Sequence, residues 1–373
     1  MSEARTLPYP RSTVVGGLRW TGPASRYPGT NSDMHWQAWC ADGSLLVVDD
    51  DGWNFDGAWN FAHALRVTGA PPDHRVEPLA DLHVLRRGDS LRRRRYVCGA
   101  LAVDDRLYIA AYDYDASSDT KPFWFMNMLS KHRGVIALMW SDDGGRTWQN
   151  VPGPDDEPIL GERFAGLAFV GFGPGYRDVP SDLDGYVYGI SNDRNWESGD
   201  GIFLARAPRG RVADRTAWEF WSGAGEGHEV TPAVWTSEEG DARPVLRDPG
   251  FVGHPTMTWN APLGRFLLQY STDAVPHSED TPLEVARATW DRRSELVMLE
   301  GPTPWGPWAV YHHDAAWHGA DMAYLPQVPA PWLSSDGRRG WMLYSGSYTV
   351  PDARGALYGF VTRPFELSDP PQP

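Results

Sequence analysis

Ser141-Asp142-Asp143-Gly144-Gly145-Arg146-Thr147-Trp148 closes one of five short apolar runs along this chain that each end in polar and aromatic residues. The octet fits the pattern S-x-D-x-G-x-T-W, and its chemistry is local. Asp143 is placed to accept backbone N–H bonds across a tight turn, the glycines supply positive φ, and Trp148 packs back between the flanking strands. Such a turn marks one repeat of a β architecture and sets where chemistry is to be sought.

Reading outward, similar hairpins recur at intervals of very roughly sixty residues, a period suited to propeller blades with their loops. The first runs from His35-Trp36-Gln37-Ala38-Trp39-Cys40 through an Asp42-Gly43 turn into Leu45–Val48 and Asp49-Asp50-Asp51-Gly52. The second spans Val97–Val103, turns at Asp104-Asp105 and continues through Leu107–Asp113 to the octet. The third begins near Phe164, turns at Asp184-Gly185, runs Tyr186–Asp193, and adds an outer strand Gly201–Arg206. The fourth goes from His254–Trp259 to Arg265–Tyr270, and the fifth from Tyr324–Trp332 through Ser335-Asp336-Gly337 to Gly340–Ser345. The reading is a single all-β, five-bladed β-propeller over residues 1–373, with Leu357–Thr362 pairing with Thr13–Leu18 to close the ring and remove its free edge. Val212–Trp218 and Phe123–Leu129 read as short helical turns or loop, and Arg92–Arg95 as a solvated charged turn.

Composition agrees. The 373 residues include 39 Gly, 32 Pro and 19 Trp, with 13% aromatic residues, which describes many short strands and tight turns. A net charge of −15, from 34 basic and 49 acidic residues, argues against a nucleic-acid surface. Cys40 and Cys98 are too few for a disulfide scaffold and read as buried free thiols. Met1–Ser12 lacks an apolar leader core and no run reaches membrane-span length, so the chain as written is expected to be soluble and cytoplasmic, or secreted if a leader was removed. Oligomeric state is unreadable from the sequence.

In an antiparallel hairpin the start of the first strand and the end of the second lie together. If every blade aims that end at one funnel, it gathers Asp33, His35, Trp36, Asp50 and Asp51, then Tyr112, Asp113 and Tyr114, then Asn192, Asp193 and Trp196, then His254, Tyr270 and Asp273, and finally Tyr324, Ser345 and Tyr348. Aromatic faces with convergent carboxylates suit a carbohydrate. Asp33 and either Asp50 or Asp51 lie on adjacent strands, on the order of 5–9 Å apart, which covers both separations used by glycoside hydrolases. A uronate lyase is the alternative, with His35 or His254 as base, Arg133 or Arg247 on the carboxylate, and Tyr112 or Tyr270 as acid. A non-catalytic sugar-binding propeller is the third reading. His35, His132, His254, His277 and His313 read individually as hydrogen-bonded supports, and no spacing selects a zinc site. No cofactor is required, although a ring of carboxylates would suit a Ca²⁺ ion or water in the central channel.

The octet resembles the Asp-box turn of sialidase-like propellers. Gly185-Tyr186-Val187-Tyr188 through Asp200–Pro208, Asp214-Arg215-Thr216-Ala217-Trp218-Glu219-Phe220-Trp221, and Met257-Thr258-Trp259-Asn260 with Leu263–Leu268 resemble the five-bladed propeller family that contains actinobacterial endo-D-arabinanases. The resemblance implies catalytic acids on the first hairpin, here Asp33 and Asp50 or Asp51. Where that family tends to show Gly-Asp-Thr, this chain has Asp49-Asp50-Asp51-Gly52. Glu300–Trp308 is similar to the Gly-Pro-Trp turn of furanosidase-type propellers and reads as a blade staple.

Overall fold

The computed structural model describes residues 5–54, 59–82, 93–115, 131–153, 155–161, 163–164, 166–193, 199–273, 282–285, 294–318, 321–348 and 358–370. Two short strands come first, β1 (Gly17–Trp20) and β2 (Ser25–Arg26). Blade one holds β3 (Thr30–Trp39), β4 (Leu45–Asn54), β5 (Trp59–Thr68) and β6 (Arg75–Asp81). Blade two holds β7 (Arg93–Val103), β8 (Arg106–Asp115) and β9 (Lys131–Ser141). Blade three holds β10 (Ala168–Phe169), β11 (Tyr186–Asn192), β12 (Gly199–Pro208) and β13 (Glu219–Trp221), with β14 (Trp235–Thr236) on its edge. Blade four holds β15 (Pro244–Asn260), β16 (Arg265–Asp273), β17 (Ser294–Gly301) and β18 (Ala309–Trp317). Blade five holds β19 (Met322–Gln327), β20 (Arg339–Ser347) and β21 (Tyr358–Ser368).

Each blade is an antiparallel meander, and the innermost strands β3, β7, β10, β15 and β19 touch their neighbours in turn around a closed ring. The expected five-bladed propeller is therefore the architecture. Closure occurs between the predicted ends, a few residues further along: Gly17 pairs with Ser368 and Trp20 with Phe365, while Ser25 pairs with Thr362. An N-terminal strand thus completes the C-terminal blade, so every strand of the seam finds a partner.

Two details depart from expectation. Blade four starts at Pro244 and not near His254. The first half of β15 pairs with β12 (Ile202 with Leu246) and the second half with β16 (Met257 with Leu268), so one strand welds two blades. Asp248-Pro249-Gly250 falls where the β12–β15 register shifts. The arginine run is no solvated turn either: Arg93–Arg95 begin β7, and Arg95 is buried with its Nε 3.4 Å from Asp113.

The octet forms the hydrogen bonds its chemistry demands. Asp143 Oδ1 accepts from the N–H groups of Arg146 (3.0 Å) and Thr147 (2.9 Å), and Oδ2 accepts from the Thr147 hydroxyl (2.6 Å). These bonds to its charged form pull the Asp143 carboxyl well below the usual range, Thr147 contributing most. Gly144 and Gly145 take φ of 73° and 89°, and Trp148 packs on the core. The Asp214 and Asp336 turns repeat the device, the first as a cap on a 3₁₀ turn at Arg215–Ala217. Residues 123–129 lie outside those described.

Tryptophans join blades. Trp308 Nε1 donates to the Val245 carbonyl of β15 at 2.9 Å, anchoring the Glu300–Trp308 turn within blade four, and Trp305 stacks on Trp221 with centroids 4.9 Å apart, which staples blade four to blade three. Arg5 reaches back over blade four, donating two bonds to Asp248 (2.7 and 2.6 Å) and one to Glu295 (2.7 Å). Cys40 and Cys98 are buried and free.

The inner ring tolerates little added volume. A Cβ at Gly99 of β7 would lie 2.0 Å from the Leu167 carbonyl oxygen, a backbone atom that cannot swing away. Gly99→Ala is expected to destabilise the protein by on the order of 2 kcal/mol or to prevent folding, measured by denaturant unfolding.

Candidate active site

The funnel is built where the inner strands start, and there the backbone departs from regular β geometry. Met34, His254 and Leu325, on β3, β15 and β19, have φ of 57°, 46° and 54°, and Asp51 on β4 has 37°. Register shifts lie at Asp33/Trp36, Gly253/Thr256 and Tyr324/Gln327. Bulges re-aim side chains, and positive φ in non-glycine residues stores strain of a kind that gathers at functional sites.

Asp33 and Asp50 are direct cross-strand partners, with Asp51 next along β4. Facing Cβ atoms in such a pair are about 4.5–5.5 Å apart. Asp33 and Asp51 are half-buried, whereas Asp50 is buried and acts electrostatically on Cys98 and Tyr324, toward the axis. Asp33 Oδ1 accepts from the Tyr324 hydroxyl and from the Met34 N–H (2.8 Å). Burial pushes the Asp33 carboxyl up to about 7, and the charges of Asp51 and Asp49 add to this against the lowering effect of its two hydrogen bonds. With Oδ1 occupied, Oδ2 is the oxygen left to carry the proton. Asp51 Oδ2 accepts from the Tyr96 hydroxyl at 2.9 Å, a bond from blade two.

His35 is fully buried behind this pair. Its Nε2 lies 3.3 Å from Ser32 Oγ and its Nδ1 3.0 Å from Ser345 Oγ. Because Ser32 donates its own proton to Asp49 at 2.6 Å, the bonding pattern puts the His35 proton on Nε2 and leaves Nδ1 to accept from Ser345. Burial drives this imidazole down to about 4, so it stays neutral and acts as a brace between blades one and five.

Trp36, Tyr112, Asn192 and His254 meet around a narrow axial cavity of about 30 Å³ together with Cys98 and Ser191, room for one or two waters. Tyr324 stands over it, its ring 5.6 Å from that of His254. Asp193 accepts from the N–H of Asp200 (2.7 Å) and borders a separate cleft of about 680 Å³ toward blade three's rim, where Arg247 pairs with Glu226 at 2.7 Å. Asp113 is buried between Arg95 and Arg133, the latter also held by Glu157. Tyr270 is enclosed within blade four, donating to Asp248 at 2.6 Å under the Arg5 strap. Tyr348 lies under the Arg26 guanidinium, 4.4 Å from its ring centroid, and burial pushes its hydroxyl up to about 12. His313 pairs with Glu295 at 3.0 Å. Trp196 and His277 lie outside the described residues, as do the side chains of Tyr114, His132 and Asp273.

Tyr96, Ser32, Asp49 and His63 are site neighbours that sequence reasoning passed over. Tyr96 was legible by pairing, since it lies directly opposite Tyr112. Among the described residues no three His, Cys, Asp or Glu side chains form a metal-holding group, so the axial acids present no calcium cage there. No described helix is long and apolar enough to cross a membrane.

A five-bladed propeller with carboxylates opposed at its funnel is thus the class that fold and site define. The chain belongs to the family described as Domain of unknown function (DUF4185), whose profile matches residues 98–345. No curated protein matches it in sequence. Among solved structures it is similar to a Bacteroides ovatus protein provisionally named a hydrolase (12% identity over 95% of this chain and 87% of that one, TM-score 0.51). It is also similar to a GH43_1 enzyme from Xanthomonas citri (12%, 92% and 90%, TM-score 0.47). An α-L-arabinofuranosidase from Podospora anserina, solved with cellotriose, matches at 10% identity over 95% and 98% of the chains, TM-score 0.46. At such identities the likeness is one of fold.

The raised Asp33 carboxyl makes a stability prediction. Between 3.8 and about 7 the folded state holds a proton that the unfolded state releases, so stability falls as pH rises through that window and the full cost stands above it. Asp33→Asn should raise the melting temperature above pH 7 and leave it little changed below pH 3.8. His35 works oppositely: its lowered value costs stability as pH falls from 6.5 to about 4. A thermal-melt series across pH checks both.

Proposed function

We propose that the protein is a glycoside hydrolase that cleaves a plant or bacterial polysaccharide or oligosaccharide in the central funnel, with Asp33 as proton donor and Asp51 as the partner carboxylate. The observation that carries the reading is the contrast between these two acids. Asp33 is held protonated up to about pH 7 by burial and neighbouring negative charge, whereas the half-buried Asp51 accepts a hydrogen bond from the Tyr96 hydroxyl, which favours its charged form. Glycosidic cleavage needs one carboxylic acid to protonate the leaving oxygen and one carboxylate to attack the anomeric carbon or activate water. Asp50, buried beneath them, contributes negative charge toward the axis, which favours an oxocarbenium-like transition state. Trp36 and Tyr324 would line the sugar's path, and the resemblance of the blade-three and blade-four segments to endo-D-arabinanases makes D-arabinan the first substrate to test.

The lyase arrangement finds less support. His254 and Tyr112, one pairing of its base and acid, do line the axial cavity, but His35 is enclosed with both nitrogens engaged, Tyr270 donates to Asp248, Arg133 is held by Asp113 and Glu157, and Arg247 by Glu226.

Asp33→Asn and Asp51→Asn are each expected to lower turnover on D-arabinan by at least about 10²–10⁴-fold while keeping the native circular dichroism spectrum. Activity should also decline as pH rises through about 7, where Asp33 loses its proton. Turnover by either variant at the wild-type rate would remove that residue from the chemistry.

A further inference from the structure

Behind the acid pair lies a fourth carboxylate, one that the proposed reaction does not use. Asp49 is completely buried at the end of the apolar run Leu45–Val48, where a further hydrophobic residue would pack without the cost of burying a charge. It is not stranded. Oδ1 is 2.8 Å from His63 Nδ1, on its cross-strand partner in β5, and Oδ2 accepts from Ser32 Oγ at 2.6 Å with His35 Nε2 3.8 Å away. The tie runs on through His35 to Ser345 on β20, crossing from the third strand of blade one to blade five. Ser32 and Asp49 each directly precede an acid of the opposed pair, Asp33 and Asp50, on the two strands whose ladder is irregular there.

We propose that Asp49 is a positioning residue for the acid pair, clamping β4 to β3 through Ser32 and to β5 through His63 so that Asp33 and Asp51 keep a fixed separation across the bulge. This rests on the reading of Asp33 as proton donor. A bulged ladder has lost the hydrogen bonds that would fix its register, and a side-chain clamp one residue behind supplies what it lacks. A charge also acts where a neutral clamp would not: with Asp51, Asp49 opposes ionisation of Asp33. Tyr324 from blade five bonds this acid directly; around the two stand Asp50 from β4 and Tyr358 from blade five, which act on Tyr324, His35 from β3 and His63 from β5, which face Asp49, Tyr96 from β7, bonded to Asp51, and His254 from β15, whose ring lies 5.6 Å from that of Tyr324.

Asp49→Asn keeps the shape and removes the charge. In the full chain without substrate, a carbon-13 NMR titration of the Asp33 carboxyl should move to lower pH in Asp49→Asn than in the wild type. With substrate, the alkaline limb of the pH profile should move the same way and kcat should fall about 10²-fold with KM little changed. A raised titration that is identical in both proteins, with kcat retained, overturns this proposal alone. An ordinary carboxylate titration in both overturns the donor role of Asp33 and this proposal with it. If Asp49→Asn does not fold, Ser32→Ala decides: a lower kcat at unchanged KM supports the clamp, and wild-type kinetics overturns it.

Discussion

The pairing of Gly17–Trp20 with Phe365–Ser368 brings the two ends of the chain into one blade, and every other feature of the site follows from that seam. A propeller ring without it would leave β21 with an open edge, and the bonds between blade five and blade one would lose the support of a strand that runs from one blade into the other. That junction is where the acid pair is assembled: Tyr324 of β19 donates to Asp33 of β3, and Ser345 of β20 braces His35. The seam acts over 291 residues of sequence separation between Asp33 and Tyr324, so the site exists only once the ring is shut.

Three consecutive aspartates and a fourth across the strand are an unfavourable group to bury, and the structure divides their roles by environment. Asp49 is hydrogen-bonded by Ser32 and faces His63 on the outer side, Asp51 is half-buried and bonded by Tyr96, and Asp33 answers the crowding by retaining its proton. A carboxyl group that keeps its proton beside a carboxylate held by a hydrogen bond is what acid-base chemistry requires. The strain at Met34, Asp51, His254 and Leu325 lies at the same level of the funnel, so local stability is surrendered where the candidate chemistry lies and restored by the rigid blades below.

Much of this was legible in the residues. Asp-Gly turns and alternating apolar runs announce five hairpins, and the strand-end argument gathers Trp36, Tyr112, Asn192 and His254, which do meet at the axis. What escaped reading has physical causes. Simple alternation puts Asp33 and His35 on one face, but the extra residue at Met34, φ 57°, turns His35 into the interior. Tyr270 belongs to a strand end by sequence, yet the Arg5–Asp248 strap covers it, a contact between residues 243 apart that no local pattern carries. The early start of β15 was hidden by Pro249 and Gly250, which punctuate most chains but here sit in a register shift between two blades.

The most direct test of the central claim is to incubate the protein with D-arabinan in heavy-oxygen water and weigh the products. Hydrolysis assisted by Asp33 and Asp51 predicts that at each cut the fragment with the new reducing end carries one heavy oxygen while its partner keeps the original bridging oxygen, and that Asp33→Asn releases such fragments at least about 10²-fold more slowly. Release of the same labelled fragments by Asp33→Asn at the wild-type rate would contradict the account, because the acid held in the funnel would then play no part in the cleavage.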